Sequence, residues 1–165
     1  MIFACYAGTG KTTAASRRDD TLDLLLAPFK YNLPSLADGT YEEREAMKAT
    51  EHDEFNFSYP EKYVDAIEET LPRYKYILIP TDERVLIELN RREMEYLVVL
   101  PDICQEGMKD LYERRYRERG NNERFIDIFI GQWNQRIVSL LMMNKPYILL
   151  PADKFVSDII NGCDG

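Results

Sequence analysis

The 165-residue chain has little that would support a disulfide framework, a metal cluster or a membrane span. It contains one histidine and three widely scattered cysteines, at positions 5, 104 and 163, which suit neither disulfide pairing nor metal-ligand spacing. No apolar run approaches the ~20 residues that a transmembrane helix needs. The first residues lack the basic segment of a signal peptide. These absences favour a cytoplasmic protein that has no membrane partner.

Positive charge is also scarce. The 21 Lys and Arg residues are outnumbered by 29 Asp and Glu residues, for a net charge of -8. Nonspecific binding to a nucleic acid polymer or an anionic membrane requires clustered cations, so neither is expected as a partner. Hydrophobic residues make up 45% of the chain, which is enough to form a core. The length suits a single domain over residues 1–165.

Apolar runs alternate with amphipathic segments along the chain. The runs predict strands at 1–6, 21–26, 74–79, 95–100 and 146–150. The amphipathic segments predict helices at 11–18, 41–49, 59–71, 82–92, 104–119, 121–142 and 153–160, with Asn121 or Asn122 as the cap of the 121–142 helix. This alternation predicts an α/β fold with an about five-stranded parallel sheet and helices on both faces. Ligands are then expected at the carboxyl ends of the strands.

Residues 32–58 interrupt the pattern because they are polar and acidic. We predict an inserted cap or mobile region on the acceptor side of the site, since long irregular stretches often serve binding. The single histidine, His52, is interpreted as a surface residue. The aromatic residues of this region and the next helix either pack the cap onto the core or stack a base, and packing is preferred for Phe55, Phe57, Tyr59 and Tyr63.

A glycine-rich segment joins the first predicted strand to the first helix. Residues 5–12 read Cys-Tyr-Ala-Gly-Thr-Gly-Lys-Thr, which fits the Walker A pattern except that Cys5 replaces its first glycine. In that pattern, glycines let backbone N–H groups face phosphate oxygens, the lysine supplies positive charge and the threonine hydroxyl binds Mg²⁺. The segment predicts a phosphate-binding set, with Thr12 as the Mg²⁺ ligand, made of Gly8, Thr9, Gly10, Lys11, Thr12 and Thr13. The alternative is an ordinary glycine-rich turn.

Residues 104–120 predict a lid-like helix that is rich in arginine. At ~100° per residue, Tyr112 and Tyr116 belong to an apolar stripe that also carries Arg115 and Arg119. An arginine on an apolar face must find an anion or lose solvation, and two of them one turn apart can clamp phosphates. Arg115 and Arg119 are therefore catalytic candidates. Salt bridges to acidic residues of the same chain are the alternative.

Four further residues are weaker candidates. Asp23 ends the second predicted strand, where it either orients a substrate hydroxyl or Mg²⁺-bound water or acts as a surface or capping residue. Asp82 follows the third strand and is better explained as a helix cap than as a metal ligand, and Asp102 is a similarly weak candidate. Lys30 is interpreted as an exposed lysine rather than an acceptor-phosphate ligand. No clear Walker B aspartate is present.

These residues together resemble the P-loop nucleotide-kinase superfamily. The similarity lies in Gly8-Thr9-Gly10-Lys11-Thr12, in Asp23, in Tyr112-x-x-Arg115-x-x-x-Arg119-Gly120 and in the Phe125-rich helix after it. The order of parts is similar to nucleoside monophosphate kinases, shikimate-type kinases and a group of phage-type kinase-like proteins. The resemblance implies a three-layer P-loop NTPase fold with a small helical lid, and ATP and Mg²⁺ as cofactors. It also implies that Lys11 and Thr12 contact phosphates and Mg²⁺, that Arg115 and Arg119 are lid arginines, and that Asp23 is an acceptor-side or metal-side carboxylate.

The leading hypothesis is an ATP-dependent phosphotransferase that acts on a small acceptor, with a nucleoside monophosphate as the favoured class. Cys5 and the missing Walker B aspartate motivate a second hypothesis, a nucleotide-binding regulatory or interaction module with little or no catalysis. A third is a structural or partner-binding protein that keeps only the kinase scaffold. The sequence leaves open the acceptor, the choice between ATP and GTP, and the oligomeric state.

Overall fold

The computed structural model describes residues 1–30, 56 and 58–165. The described strands are β1 (Ile2–Cys5), β2 (Thr21–Asp23), β3 (Tyr76–Pro80), β4 (Leu97–Pro101) and β5 (Tyr147–Leu150). The helices before β4 are α1 (Lys11–Ser16), α2 (Ala27–Lys30), α3 (Tyr59–Thr70) and α4 (Glu83–Arg91). After β4 come α5 (Met108–Glu118), α6 (Glu123–Ile126), a π-helical turn (Asp127–Gly131), α7 (Trp133–Leu141) and α8 (Val156–Asp164). The predicted helix at 41–49 lies outside the described residues.

The five strands are all parallel and pair in the order β2-β3-β1-β4-β5, which confirms the predicted parallel sheet. In the central strand β1, Ala4 pairs with Ile79 on one side and Val98 on the other. The chain leaves β1 toward the β2 edge of the sheet, but it leaves β4 toward the β5 edge. Neighbouring strands whose connections leave in opposite directions open a crevice beyond their carboxyl ends. This topology therefore places a crevice where β1 and β4 end.

Alternate residues of the strands enter two hydrophobic clusters, one on each face of the sheet. Ile2 and Ala4 belong to the larger cluster, which includes residues of α3, α4, α5 and α7. Phe3 and Cys5 belong to the smaller cluster, which includes residues of α1 and α8. Because helices cover both faces, the strands are continuous apolar runs rather than alternating ones. The predicted helices on both faces are confirmed.

Several predicted boundaries were wrong. The strand predicted at 21–26 ends at Asp23, and the short helix α2 follows it with Pro28 in its first turn, where a proline fits. The helix predicted at 104–119 begins only at Met108, because Gly107 precedes it with a φ of 76°. The helix predicted at 153–160 begins at Val156 and continues to Asp164.

The long helix predicted at 121–142 is not continuous. Asn122 caps its start as predicted, since the side-chain oxygen of Asn122 accepts a hydrogen bond of 2.9 Å from the Phe125 amide. A π-helical turn then separates α6 from α7. Within this turn, the Phe129 carbonyl accepts a 3.3 Å hydrogen bond from the Tyr6 hydroxyl. The interruption therefore lies where this segment contacts the residue that follows β1.

Candidate functional site

A loop rich in glycine follows β1 at the carboxyl edge of the sheet. We call residues 6–10 the glycine loop; they connect β1 to α1, which begins at Lys11. The Tyr6 amide donates to the Val99 carbonyl of β4 at 2.9 Å, so the loop begins beside the crevice between β1 and β4. The strand order therefore places the sequence-predicted phosphate-binding residues where a parallel α/β sheet favours ligand binding.

The backbone of the glycine loop requires its two glycines. Gly8 and Gly10 have φ values of 87° and 90°, which residues with a side chain rarely adopt. Between them, Thr9 is fully buried, and its hydroxyl donates to the Tyr6 carbonyl at 2.8 Å. The Thr9 carbonyl accepts a 2.9 Å hydrogen bond from the Val156 amide at the start of α8. The loop is thus stabilised by a hydrogen bond within it and by a second one from the start of α8.

Two candidate residues from separate segments meet beside this loop. Thr12 lies in the first turn of α1, and its hydroxyl donates to Oδ2 of Asp23 at 2.7 Å. Asp23 is the last residue of β2 and is only 1% exposed. The hydroxyl and the carboxylate supply two oxygen atoms of the kind that Mg²⁺ prefers, so this pair fits the predicted metal side of the site. Among the described residues, no group of three or more histidine, cysteine or acidic side chains could hold a metal by itself.

Cys5, which replaces the first glycine of the Walker A pattern, lies in the strand rather than in the loop. It is the last residue of β1, fully buried, and packs in the smaller hydrophobic cluster. Burial raises the pKa of the Cys5 thiol to about 12, although the nearby positive charge of Lys11 opposes the effect. The thiol is therefore protonated at neutral pH and is not a nucleophile. Its side chain occupies core space rather than the glycine loop.

Two tyrosines of α5 pack directly on the glycine loop. A Cβ atom at Gly8 would lie 2.9 Å from Cε1 of Tyr116 and 3.2 Å from Cδ1 of Tyr112. The Tyr116 hydroxyl donates to the Ala7 carbonyl at 2.8 Å. The helix predicted to be lid-like therefore contacts the loop through the apolar stripe that the sequence indicated.

Phe155 forms a contact of the same kind on the other side of the loop. A Cβ atom at Gly10 would lie 3.1 Å from Cδ1 of Phe155, the residue that precedes α8. Phe155 is not among the site residues predicted from the sequence. The available signal was its position: it follows the last predicted strand, and in a parallel sheet every loop after a strand reaches the same edge.

The two candidate arginines have different environments. The Arg115 guanidinium lies 4.9 Å from the ring centroid of Tyr112 and 4.6 Å from that of Phe155, and its Nη2 donates to the Ala152 carbonyl at 2.7 Å. In the part of the chain that the structure describes, no acidic residue forms an ion pair with Arg115. Arg119 is exposed at the end of α5 and donates to the Asn121 side chain at 2.8 Å. The Arg119 guanidinium also lies 5.4 Å from the ring centroid of Tyr116, so both arginines lie near aromatic residues that pack on the glycine loop, and only Arg115 is near Phe155.

The weaker candidates have structural roles. Asp82 caps α4 by accepting from the Arg84 and Val85 amides, as predicted, and it also accepts from Lys30 at 3.2 Å and from the Tyr59 hydroxyl at 3.0 Å. The interpretation of Lys30 as a solitary exposed lysine was therefore wrong. Asp102 accepts from the Cys104 amide in the turn after β4.

The aromatic residues of the 32–58 region and of α3 are only partly described. Tyr59 and Tyr63 are buried in the larger cluster, which confirms packing for these two. His52, Phe55 and Phe57 lie outside the described residues, as do all of residues 31–55. The acceptor-side cap predicted at 32–58 consequently stays a prediction.

Comparison with known proteins gives no relative for this chain. No protein-family model matches it, and no curated protein or solved structure shows significant similarity. Among the described residues, no helix is long and apolar enough to cross a membrane.

Proposed function

We propose that the chain binds a nucleoside triphosphate, with ATP as the first candidate, at the glycine loop and transfers the terminal phosphoryl group to a small acceptor. The observation that carries this proposal is the Thr12–Asp23 hydrogen bond of 2.7 Å beside a loop with two positive-φ glycines. Successive backbone N–H groups of such a loop can form a concave anion site. Lys11 directly follows the loop and would add positive charge to it.

The proposed roles follow from the positions of the side chains. Lys11 would neutralise phosphate charge, and Thr12, with Asp23 behind it, would hold Mg²⁺. A Mg²⁺ ion held by these two residues would supply positive charge that offsets the charge developing during transfer. Arg115 would add a second cation from α5, and Arg119 would act at the exposed end of that helix. Thr13 is exposed in the same helical turn and would contribute through its backbone amide.

The described part of the site favours a phosphate acceptor over an alcohol. Transfer forms a bond from the acceptor oxygen to the terminal phosphorus and breaks the bond to the bridging oxygen, releasing a nucleoside diphosphate. An alcohol acceptor needs a base for its proton, but Asp23 already accepts the hydrogen bond of Thr12. A phosphate monoester has a second pKa of about 6 and is already anionic at neutral pH. We therefore propose a nucleoside monophosphate as the acceptor class to test first.

A second candidate function is nucleotide binding without transfer. It is favoured by β3, the neighbour of β1, which ends at Ile79 and Pro80 without a carboxylate. The next acidic residue, Asp82, is engaged as a helix cap and by Lys30. Without an aspartate at the end of β3, fewer protein groups would hold Mg²⁺.

Thermal unfolding with and without nucleotide tests the proposal. In the wild-type protein, Mg·ATP at ~100 times its Kd should add about 2.7 kcal/mol to the free energy of unfolding. Lys11→Ala should abolish this stabilisation because it removes the positive charge beside the loop. The stabilisation by Mg·GTP, measured in the same way, shows whether the protein prefers adenine or guanine.

The matched control is Lys145→Ala. Lys145 lies near the Tyr96 ring, at the amino ends of β4 and β5 and therefore away from the glycine loop at the carboxyl ends. This variant should keep the stabilisation by nucleotide. Release of nucleoside diphosphate with a series of nucleoside monophosphates then separates the two candidate functions. Transfer supports the phosphotransferase, and Lys11-dependent binding without transfer supports the second candidate. Absence of any Lys11-dependent stabilisation would exclude both.

A further inference from the structure

Two buried polar atoms of α5 have no hydrogen-bond partner among the described residues. They are the hydroxyl oxygen of Tyr112 and Nη1 of Arg115. Buried polar groups are nearly always paired in native proteins, so an unpaired one requires an explanation. A third such atom, Nε of Arg136, belongs to α7 and lies over the Phe129 ring. The two atoms of α5 are separated by one helical turn and belong to the face that packs on the glycine loop.

The two side chains are close neighbours, but neither of the two unpaired atoms is hydrogen-bonded by the other. The Arg115 guanidinium lies 4.9 Å from the centroid of the Tyr112 ring. The other terminal nitrogen, Nη2, is already used by the Ala152 carbonyl. The guanidinium can only donate hydrogen bonds, and a protonated tyrosine hydroxyl has one proton to donate. A single acceptor can therefore receive a hydrogen bond from each of them.

Tyr116 provides a comparison within the same helix. Its ring also contacts Gly8, but its hydroxyl donates to the Ala7 carbonyl at 2.8 Å. One tyrosine thus anchors the glycine loop through its hydroxyl, whereas the other packs on the loop through its ring and leaves its hydroxyl unpaired. Tyr112 is fully buried, so bulk water does not satisfy that hydroxyl.

We infer that the Tyr112 hydroxyl and Arg115 Nη1 form an oxyanion-binding pair that receives a phosphoryl oxygen of the triphosphate bound at the glycine loop. An anionic oxygen accepts several hydrogen bonds at once, and hydrogen bonds to charged groups are the stronger kind. This assignment rests on the proposed function and adds Tyr112 as a phosphate-contacting residue. Burial raises the pKa of Tyr112 to about 12, against an opposing effect of Arg115, so the hydroxyl keeps its proton at neutral pH.

The experiment compares tyrosine-to-phenylalanine variants by calorimetric titration with inorganic tripolyphosphate and with Mg·ATP. Tyr112→Phe removes only the hydroxyl and should weaken the binding of both ligands about tenfold, the value of one hydrogen bond to a charged group. Its melting temperature without ligand should equal or exceed that of the wild type, because an unpaired buried hydroxyl is removed. Tyr116→Phe should melt at a lower temperature, because the Ala7 carbonyl loses its donor.

The affinity control is Tyr96→Phe. The Tyr96 hydroxyl donates to Asn90 at 3.2 Å, outside the site, so this variant should bind both ligands like the wild type.

Unchanged binding by Tyr112→Phe would overturn the inference, while Lys11-dependent binding by the wild type would still uphold the proposed function. A melting temperature as low as that of Tyr116→Phe would make the hydroxyl structural and would also overturn it. Weaker binding of Mg·ATP alone would assign the hydroxyl to the nucleoside and not to phosphate. Failure of the wild type to bind either ligand would remove the proposed function and this inference together.

Discussion

At the scale of single residues, glycines with similar backbone conformations serve different purposes. Gly8 and Gly120 have φ values of 87° and 77°, so both need the freedom that only glycine has. A Cβ atom at Gly8 would be 2.9 Å from the Tyr116 ring, whereas one at Gly120 would meet nothing within 4 Å. Gly120 is therefore required by conformation alone. Gly8 is required by conformation and by the close approach of α5.

Alanine substitutions at these two glycines separate the two requirements. Gly120→Ala should lower the free energy of unfolding by about 1 kcal/mol, the cost of a left-handed residue with a side chain. Gly8→Ala should lower it by about 2–4 kcal/mol, because overpacking against an aromatic ring adds to that cost. Urea unfolding measures both values. Equal losses would show that the Tyr116 ring yields to a methyl group at Gly8 without cost.

At the scale of elements, a charged cluster joins α3 to α4 on the side of the larger hydrophobic cluster. Glu88 of α4 accepts hydrogen bonds of 2.7 Å from both Arg91 and Arg92. Arg92 also bonds Asp65 and Glu68 of α3. The Arg91 guanidinium, with Arg92, lowers the pKa of Glu88 to about 2. The cluster links two helices whose apolar faces already pack together.

The depressed pKa predicts the direction of a pH effect. A carboxylate whose pKa is lower in the folded than in the unfolded protein stabilises the folded state at pH values above its unfolded-state pKa. This stabilisation is lost as the pH falls through its folded-state pKa. Glu88→Gln should therefore lower the free energy of unfolding by about 1–2 kcal/mol at pH 7, and the difference from wild type should vanish between about pH 4.5 and pH 2. Urea unfolding over this range measures it. The exposed Glu95 is the control position, and a Glu95→Gln variant with the same pH profile would contradict the assignment.

At the scale of the whole molecule, the sheet separates two hydrophobic clusters that must unfold together if the chain is one domain. Ile137 of α7 belongs to the larger cluster, and Ile160 of α8 belongs to the smaller one. Both side chains are fully buried. The β1 strand contributes residues to both clusters, so disruption of either face should weaken the other.

Core truncations on opposite faces test this cooperativity. Ile137→Ala and Ile160→Ala should each lower the free energy of unfolding by about 2–4 kcal/mol, from lost burial and the remaining cavity. Val138→Ala, at a position that is 45% exposed, should change it by less than about 0.5 kcal/mol. Unfolding followed by Trp133 fluorescence and by circular dichroism should give one transition in each variant. Two separate transitions in Ile160→Ala would show that the faces unfold independently.

The local pattern of residues determined the elements. Five apolar runs predicted the five strands, and the two glycines before Lys11 predicted the turn into α1, because strand periodicity and positive φ are properties of neighbouring residues. Boundaries were less predictable. The end of β2 at Asp23 and the π-helical turn at Asp127–Gly131 depend on contacts with distant residues, such as the Tyr6 hydroxyl on the Phe129 carbonyl.

The set of residues that meet at the site depends on packing between distant segments of the chain. The strand order β2-β3-β1-β4-β5 consists of pairings between strands that are far apart in the sequence, and no local period encodes it. That order brings Asp23 to Thr12. It also brings Phe155 to Gly10 across more than one hundred residues of chain. Neighbouring residues were enough to predict a glycine loop between a buried strand and a helix. Packing determined that two tyrosines, Phe155 and Arg115 surround this loop, because side chains far apart in sequence meet only when helices cover both faces of the sheet.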